Sequence, residues 1–349
     1  MQTRPRTADA SHFGSPGRPP QSCLFAFIRF LGRLTIAAAW LFALALAAWN
    51  LARVYPGDRW LPVRLGNFFA PWLFMALAPA LLAALLGRRR WLASLVLLLG
   101  LVFGLRYWPL LAPRLPLLRA QAGETQLRVM TFNVHYANRD AAAIARLIRT
   151  EAPDVIAMQE LTRDLADSLQ AELGSDYPYF LMGDAWGLTA LMSRYPLTEQ
   201  PVPPEVWHTR RAIVETPAGP LSIWSVHLST ALVQRRWELQ KEMAAVIARE
   251  IDATPGPSIL LGDFNTTDQT ENYRLIAGRL TDVHWAVGQG FAFTFPDMRR
   301  YTDRSLMPGP VVRIDHIFVS RHLIPQEIHV APSGYGSDHR PVIATLRFE

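Results

Sequence analysis

The sequence predicts an α+β sandwich carried behind a membrane region. Three uncharged apolar runs fall within the first 111 residues, and short β-like runs alternate with helical or turn segments from Gln126 onward. Most of those later runs also end in a polar or titratable residue, where a merely buried strand would not need one.

Residues 1–21 are rich in Pro, Gly, Ser and Arg with almost no aliphatic content, which predicts disorder. The runs Leu34–Ala52 and Leu65–Gly87 carry no charge. As helices they are long enough to cross a hydrocarbon core of roughly 30 Å. Trp91–Leu105 is short for a span and reaches full length at Leu111 only if Arg106 snorkels to the interface. Trp49, Trp60, Trp91 and Trp108 sit at the ends of runs, as interfacial anchors do. The organisation predicted is thus a membrane region over 22–111 with spans near 34–52, 65–87 and 91–111. A linker over 112–125 and a folded domain over 126–349 follow. A buried helical hairpin in a soluble protein is the competing reading, and three uncharged runs so close together weigh against it.

Charge orients the runs. Arg29, Arg33 and Arg88–Arg90 favour one side as the cytoplasm, against Arg53, Arg59, Arg64, Arg106, Arg114 and Arg119 on the other. The compact arginine triplet tips the expectation to a multi-pass inner-membrane protein with an extracytoplasmic C-terminal domain. A cleaved signal peptide would still leave two anchoring runs. The first 120 residues hold 14 basic and 2 acidic residues, whereas the remaining 229 hold 21 and 27. The basic balance therefore belongs to the N-terminal third and describes no nucleic-acid surface on the rest. Cys23 is the single cysteine, so neither an intramolecular disulfide nor a thiolate metal cage can form.

Within the C-terminal domain "LRVMTFNV" reads as a strand. "DAAAIARLIRTEA" reads as an amphipathic helix capped by its Asp, and "PDVIAMQE" as a strand. "ALMSRYPL", "RAIVETP", "LSIWSVHLS", "SILLGDFN", "RIDHIFVS" and "HRPVIATLRF" are further strands, with a long helix over "ALVQRRWELQKEMAAVIAREI". Hairpin-type strands mixed with helices indicate a sandwich rather than a doubly wound parallel sheet.

The strand ends deliver Asn133, Gln159 and Glu160, His227, and Asp263 and Asn265, and Asp315 lies inside an otherwise apolar strand. A Gly-flanked loop then adds Asp338 and His339. Taken singly each has a bland reading, since Asn and Asp form turns and a lone His is usually structural. Their order along the chain is harder to obtain from turn chemistry. Arg210 and Arg211 are either a solvated strand end or phosphate-gripping cations. "QRRWELQKE" is most simply an exposed helix face.

The stretches "TFNV", "DVIAMQE", "ALMSRYPL", "SVHLS", "LLGDFNT", "RIDHIFVS" and "GSDHRPV", in this order over Arg128–Phe348, resemble the endonuclease/exonuclease/phosphatase superfamily, the deoxyribonuclease I-like proteins, and its bacterial membrane-anchored branch. The resemblance implies a four-layer sandwich of two packed, mostly antiparallel sheets flanked by helices. It also implies metal-assisted phosphoester hydrolysis. Such chemistry needs charge neutralised on phosphoryl oxygens and an oriented water. Mg²⁺, or Mn²⁺ in its place, takes few protein carboxylates. Glu160 is then the leading ligand, with Asn133 and Asp338 nearby. Asp263 would orient or deprotonate water, Asn265 would bond a phosphoryl oxygen, and His339 would contact phosphate with Asp315 fixing its tautomer. His227 would act on a non-bridging or leaving oxygen. His135 stands where repair nucleases of the family carry an acid, which weakens transfer of abasic-site repair, and His316 is read as structural.

The expected function is a membrane-anchored, Mg²⁺-dependent phosphoesterase. Its expected partners are the bilayer and a phosphoester: a lipid-linked phosphate, a small phosphate ester or a nucleic acid. No obligate protein partner is evident. An extracytoplasmic nuclease and an inactive membrane-tethered binding domain are the alternatives. The loop "FTFPDMRRYTDR" is the expected determinant of substrate choice.

Overall fold

The computed structural model describes residues 21–113, 125–183, 188–297 and 309–349. The predicted disordered N-terminus and most of the predicted linker lie outside these residues, as does the second half of the loop Phe293–Arg304. The predicted membrane region contains α1 (Gln21–Ala52), α2 (Leu61–Phe68), α3 (Ala70–Met75), α4 (Leu77–Leu86) and α5 (Arg90–Leu111).

Helices α1 and α5 are each long and apolar enough to cross a membrane. The apolar run read as one span over 65–87 is instead a bent pair, with a 77° break between Leu61–Phe68 and Ala70–Leu86. Among the described residues two straight helices of spanning length therefore stand where three were expected, and the bent pair makes a third only as one broken span. The cause is Pro71, which has no N–H to donate to the carbonyl of Asn67, four residues back. Helix α4 runs antiparallel to α1: Gly87 lies against Ile36, while Phe74 meets Trp49 with ring centroids 6.0 Å apart. Helix α5 returns to the same end, where Phe103 stacks on Phe74 at 4.7 Å. Arg106 does not snorkel. It donates to Asn50 Oδ1 at 3.0 Å and faces the Trp49 and Phe74 rings at 5.9 and 5.6 Å. Inside the bundle an amide oxygen takes Nη2 and two ring faces flank the guanidinium, while Nη1 is buried without a partner among the described residues.

The C-terminal domain runs β1 (Gln126–Asn133), α6 (Ala141–Glu151), β2 (Val155–Gln159), α7 (Arg163–Leu173), β3 (Tyr179–Met182), β4 (Ala190–Ser193), β5 (Leu197–Gln200), β6 (Thr209–Thr216), β7 (Gly219–His227), α8 (Gln234–Asp252), β8 (Ser258–Asp263), α9 (Glu271–Ala277), β9 (Thr281–Asp282), α10 (Val283–Val287), β10 (Asp315–Val319), β11 (Leu323–Val330) and β12 (Val342–Phe348). Helix α6 starts where its cap dictates, with Asp140 Oδ1 accepting from the Ala143 N–H at 2.9 Å.

One sheet has the order β11-β12-β1-β2-β4-β3 and the other β5-β6-β7-β8-β10-β9. Both are mixed and mostly antiparallel, with β1–β2 and β7–β8 as their parallel pairs. Side-chain alternation builds the layers. Leu127 and Val129 of β1 face Ile259 and Leu261 of β8 between the sheets. Met130 and Phe132 point outward to α6 and α7, while Leu260 points outward to α8 and α9. The result is the four-layer sandwich.

Register positions the site. Asn133 aligns with Gln159, His227 with Asp263, and Asp263 with Asp315. Parallel pairing at the centre of each sheet thus gathers the strand ends on one rim. The N-terminal helical bundle packs beside that rim, with Phe68 in a buried cluster with Ala231, Trp237, Val312 and Ile314.

Candidate active site

Asn133 ends β1 and ties the cluster together. Its amide donates to Glu160 Oε1 at 3.1 Å and Asp263 Oδ2 at 3.0 Å, while its Oδ1 accepts from the His135 N–H at 3.0 Å. Glu160 follows β2 at φ 56° and accepts at Oε2 from the Tyr136 N–H at 3.1 Å. His135 and Asn265 also have left-handed backbones, at φ 62° and 48°. Such conformations cost on the order of 1 kcal/mol or more and persist where the surroundings fix them, commonly at functional sites.

Asp263, at the end of β8, is almost fully buried. It accepts from the Asn265 N–H at 2.8 Å and, at Oδ2, from the Asn265 amide at 3.3 Å. His339 Nδ1 donates to Asp315 at 2.9 Å, its backbone N–H donates to Ser337 Oγ at 3.0 Å, and Ser337 Oγ donates to the Asn133 carbonyl at 2.6 Å. Gly336 makes this loop feasible, since its φ is 86° and a Cβ there would strike the Asn138 side chain. The two imidazoles flank Asp263. His339 Nε2 and His227 Nε2 are each 3.7 Å from Asp263 Oδ2, and His227 Nε2 is 3.9 Å from Glu160 Oε1. These separations exceed a hydrogen bond, so none of the three pairs is directly bonded.

Burial and neighbouring charges divide the protons. Burial opposes a charge on His339, but Asp315 and Asp263 outweigh it and push its pKa up to about 10. Burial, aided by Asp315 and opposed by His339, lifts Asp263 to about 7. Burial lowers His227 despite the nearby Glu160. Burial also disfavours the Glu160 anion, yet His227, the Asn133 amide and the Tyr136 N–H together hold it below its ordinary value. The rim thus holds a cationic imidazole, a neutral one and a carboxylate poised near neutrality.

The donor set fits a hard divalent ion. Asp338 Oδ1 is buried without a hydrogen-bond partner among the described residues, and its side chain lies 3.8 Å from His135 Nε2. Glu160, Asp338 and the second lone pair of Asn133 Oδ1 are oxygen donors of the kind Mg²⁺ takes. Asp263, Asp315 and His339 also bring ligand atoms within 4.8 Å of one another. That trio fits less well, because the His339 imidazolium has no lone pair to offer and its Nδ1 is committed to Asp315.

The structure thus brings together Asn133, Glu160, His227, Asp263, Asn265, Asp315, Asp338 and His339. Asn265 stands differently from the expectation: its amide donates to the Leu228 carbonyl at 3.0 Å and to Asp263, so here it braces Asp263 rather than presenting a free donor to phosphate. Arg210 and Arg211 are not brought into the cluster. Arg210 lies against Gly183 and 4.0 Å from Glu199, and Arg211 faces outward to Thr254, Glu250 and the Trp224 ring. His316 bonds the Thr266 carbonyl and faces away from the site, consistent with a structural residue.

"QRRWELQKE" is not a wholly exposed face, because Trp237 and Gln240 are buried. Gln240 Nε2 donates to the carbonyls of Ser229, Phe264 and Asn265 at 2.6, 3.1 and 3.0 Å, holding the loops after His227 and Asp263. Its position three residues after Trp237, on the stripe continued by Ala244 and Ile247, is the sequence signal for it.

Residues 130–339, which contain every member of the cluster, match the Endonuclease/Exonuclease/phosphatase family. Among solved structures, an endonuclease/exonuclease/phosphatase from Beutenbergia cavernae is 26% identical with TM-score 0.51, covering 64% of this chain and 72% of its own. One from Bacteroides vulgatus is 23% identical with TM-score 0.53, covering 65% and 100%. D. rerio TDP2 complexed with single-strand DNA product is 20% identical with TM-score 0.53, covering 64% and 99%. No curated protein matches the chain. The chain belongs to the endonuclease/exonuclease/phosphatase family and is a metal-dependent hydrolase of phosphoester bonds.

Proposed function

We propose that this protein is a membrane-anchored, Mg²⁺-dependent phosphoesterase acting on a lipid-linked or envelope phosphate mono- or diester. The observation that carries the reading is the convergence of Glu160, Asp263, His227 and His339 on one rim, with two imidazoles equidistant from one carboxylate oxygen. Glu160, Asp338 and Asn133 would hold the ion, which when bound neutralises charge on the phosphoryl oxygens.

Asp263 accepts a proton from the attacking water at Oδ1, which takes a single hydrogen bond, from the Asn265 N–H, while the Asn133 and Asn265 amides hold Oδ2. A pKa near 7 suits that task at neutral pH. His339, kept cationic by Asp315, places its Nε2–H against a phosphoryl oxygen. His227, held neutral, serves the leaving-group side.

Two features favour a substrate at the membrane. The helices α1 and α5 suit spanning, and α2 forms part of the wall beside the site. The bundle end that carries the sandwich lies opposite Arg29, Arg33 and Arg88–Arg90, which supports an extracytoplasmic site in an inner membrane by the excess of positive charge on the cytoplasmic side.

The test uses the full chain in lipid nanodiscs with a phosphorylated lipid, a soluble phosphodiester and plasmid DNA, each with Mg²⁺ and with EDTA. Mg²⁺-dependent release from the lipid, faster than from DNA, is expected. Preferential cleavage of DNA makes the protein a nuclease, and inertness toward all three refutes the reading.

A further inference from the structure

We propose that the segment Arg53–Asn67, between the first two membrane helices, positions the catalytic loop after β8, with Asp58 as a positioning residue of the active site. The proposal rests on the catalytic assignment of Asp263 and Asn265 above.

Asp58 is only 1% exposed, although it lies in a short connection between apolar helices. A bare anchor has no use for a buried carboxylate, which is stable only when fully partnered. Here it is. Oδ2 accepts from the Glu271 N–H at 2.6 Å and Oδ1 from the Asn67 amide at 2.6 Å, while the Asp58 N–H donates to Glu271 Oε1 at 3.0 Å. The Arg64 guanidinium donates to the Asp58 carbonyl at 3.1 Å and to Gln234 of α8 at 2.8 Å, and lies 4.8 Å over the Trp237 ring.

The same segment holds the catalytic loop at two more points. The Asn67 carbonyl, denied a helical partner by Pro71, accepts from Thr267 Oγ1 at 2.9 Å. Arg53 donates to Gln269 Oε1 at 2.8 Å and to the Gln269 carbonyl at 3.3 Å. The residues so held, Thr267, Gln269 and Glu271, begin two positions after Asn265. Gln240 grips the loop's beginning through the Phe264 and Asn265 carbonyls, and its Oε1 accepts from Asn272 at 2.9 Å. The stretch Asp263–Asn272 is therefore clamped between α8 and the membrane region. One clamp is internal to the sandwich and the other comes from the chain's membrane part.

Removing the Asp58 carboxylate leaves the Glu271 N–H and the Asn67 amide buried without acceptors and frees the loop on that side. Displacement of Asp263 by about 1 Å is enough to lower turnover by about 10²-fold.

The experiment uses the full chain in nanodiscs as wild type, Asp58→Ala, Asp58→Asn and, as control, Arg149→Ala, which removes exposed contacts to the Glu172 carboxylate and carbonyl. For Asp58→Ala, kcat should fall about 30- to 100-fold with KM changed less than about threefold, the split expected when reacting groups are misplaced rather than binding lost. Asp58→Asn keeps an acceptor for the Glu271 N–H and should recover kcat about tenfold relative to Asp58→Ala. Amide hydrogen exchange over 264–272 should quicken about tenfold or more in Asp58→Ala, with β1 and β2 unchanged. Full kcat with unaltered exchange overturns the proposal, as does a global rise in exchange together with wild-type kcat in Asp58→Asn. A wild-type protein that turns over no phosphoester removes the catalytic assignment instead. Exchange over 264–272 then decides the clamp on its own.

Discussion

Each residue at the rim is held by a neighbour that was harder to see than itself. Asn133, Glu160 and Asp263 stood out because polar groups closed apolar strands, Asp315 as an acid within one, and His339 as an imidazole beside an acid in a Gly-flanked loop. Gln240 and Ser337 did not, because an amide inside a charged helical stretch and a serine in a glycine loop resemble solvent-facing residues. Yet Gln240 supplies one amide group to three carbonyls. Gln240→Ala leaves those carbonyls short of a donor and should lower stability by about 1–3 kcal/mol, read as a drop in Tm by calorimetry. Asp315→Asn retains the shape of the His339 pair but removes the charge that keeps the imidazole protonated. Its kcat should fall about 10²-fold or more with Mg²⁺ affinity unchanged, as measured by steady-state kinetics alongside metal titration. A loss confined to metal affinity would assign Asp315 to the ion instead.

Elements were legible wherever local pattern and packing agreed. The helix at Asp140 and the strands carrying site residues follow from period and caps. The bend at Phe69 did not follow from hydropathy, because Pro71 sits in an apolar run that otherwise satisfies every length criterion for a single span. The short helix α10 was also invisible, since five residues carry no period. Its fold depends on a buried network in which Asp282 caps the helix and pairs with Arg313 at 3.0 Å. Burial and the adjacent Arg313 hold His284 of this helix down at about 4, against an ordinary value of 6.5, while its Nε2–H donates to the Gly290 carbonyl at 2.8 Å. In the unfolded chain the imidazole takes its proton first as pH falls. The contribution of His284 is therefore intact above 6.5 and is lost progressively toward pH 4. Comparing Tm of wild type and His284→Gln from pH 4 to 7 isolates it from the site residues, and the wild type should show the steeper acid loss. Parallel profiles would mean that His284 titrates normally when folded.

At the scale of the molecule, the N-terminal helices and the sandwich share a core surface. The sequence divides them at a change of texture, and texture carries no information about docking. The interface is written in isolated residues such as Asp58, Arg64, Asn67 and Phe68, each unremarkable in its own segment. Removing residues 1–125 uncovers Trp237, Val312 and Ile314 where Phe68 packed. The truncated domain should associate or melt earlier than the full chain, as sedimentation and calorimetry would show. Orientation is testable through the single native cysteine. In a Cys23→Ser background, a cysteine at exposed Arg321 should react with a membrane-impermeant maleimide in intact cells if the domain is extracytoplasmic. Labelling only after lysis would reverse the topology.

The central claim is that Glu160, Asp338 and Asn133 hold a divalent ion beside the Asp263–His339 pair and that phosphoester cleavage depends on both. The most direct measurement is Mg²⁺-dependent phosphate release by the full chain in nanodiscs for wild type, Glu160→Ala and His339→Ala. The account predicts release abolished by EDTA and restored by Mg²⁺ in the wild type. Activity should fall about 10²-fold or more in both variants, with metal affinity weakened only in Glu160→Ala. Undiminished release in either variant, or release indifferent to EDTA, would contradict it.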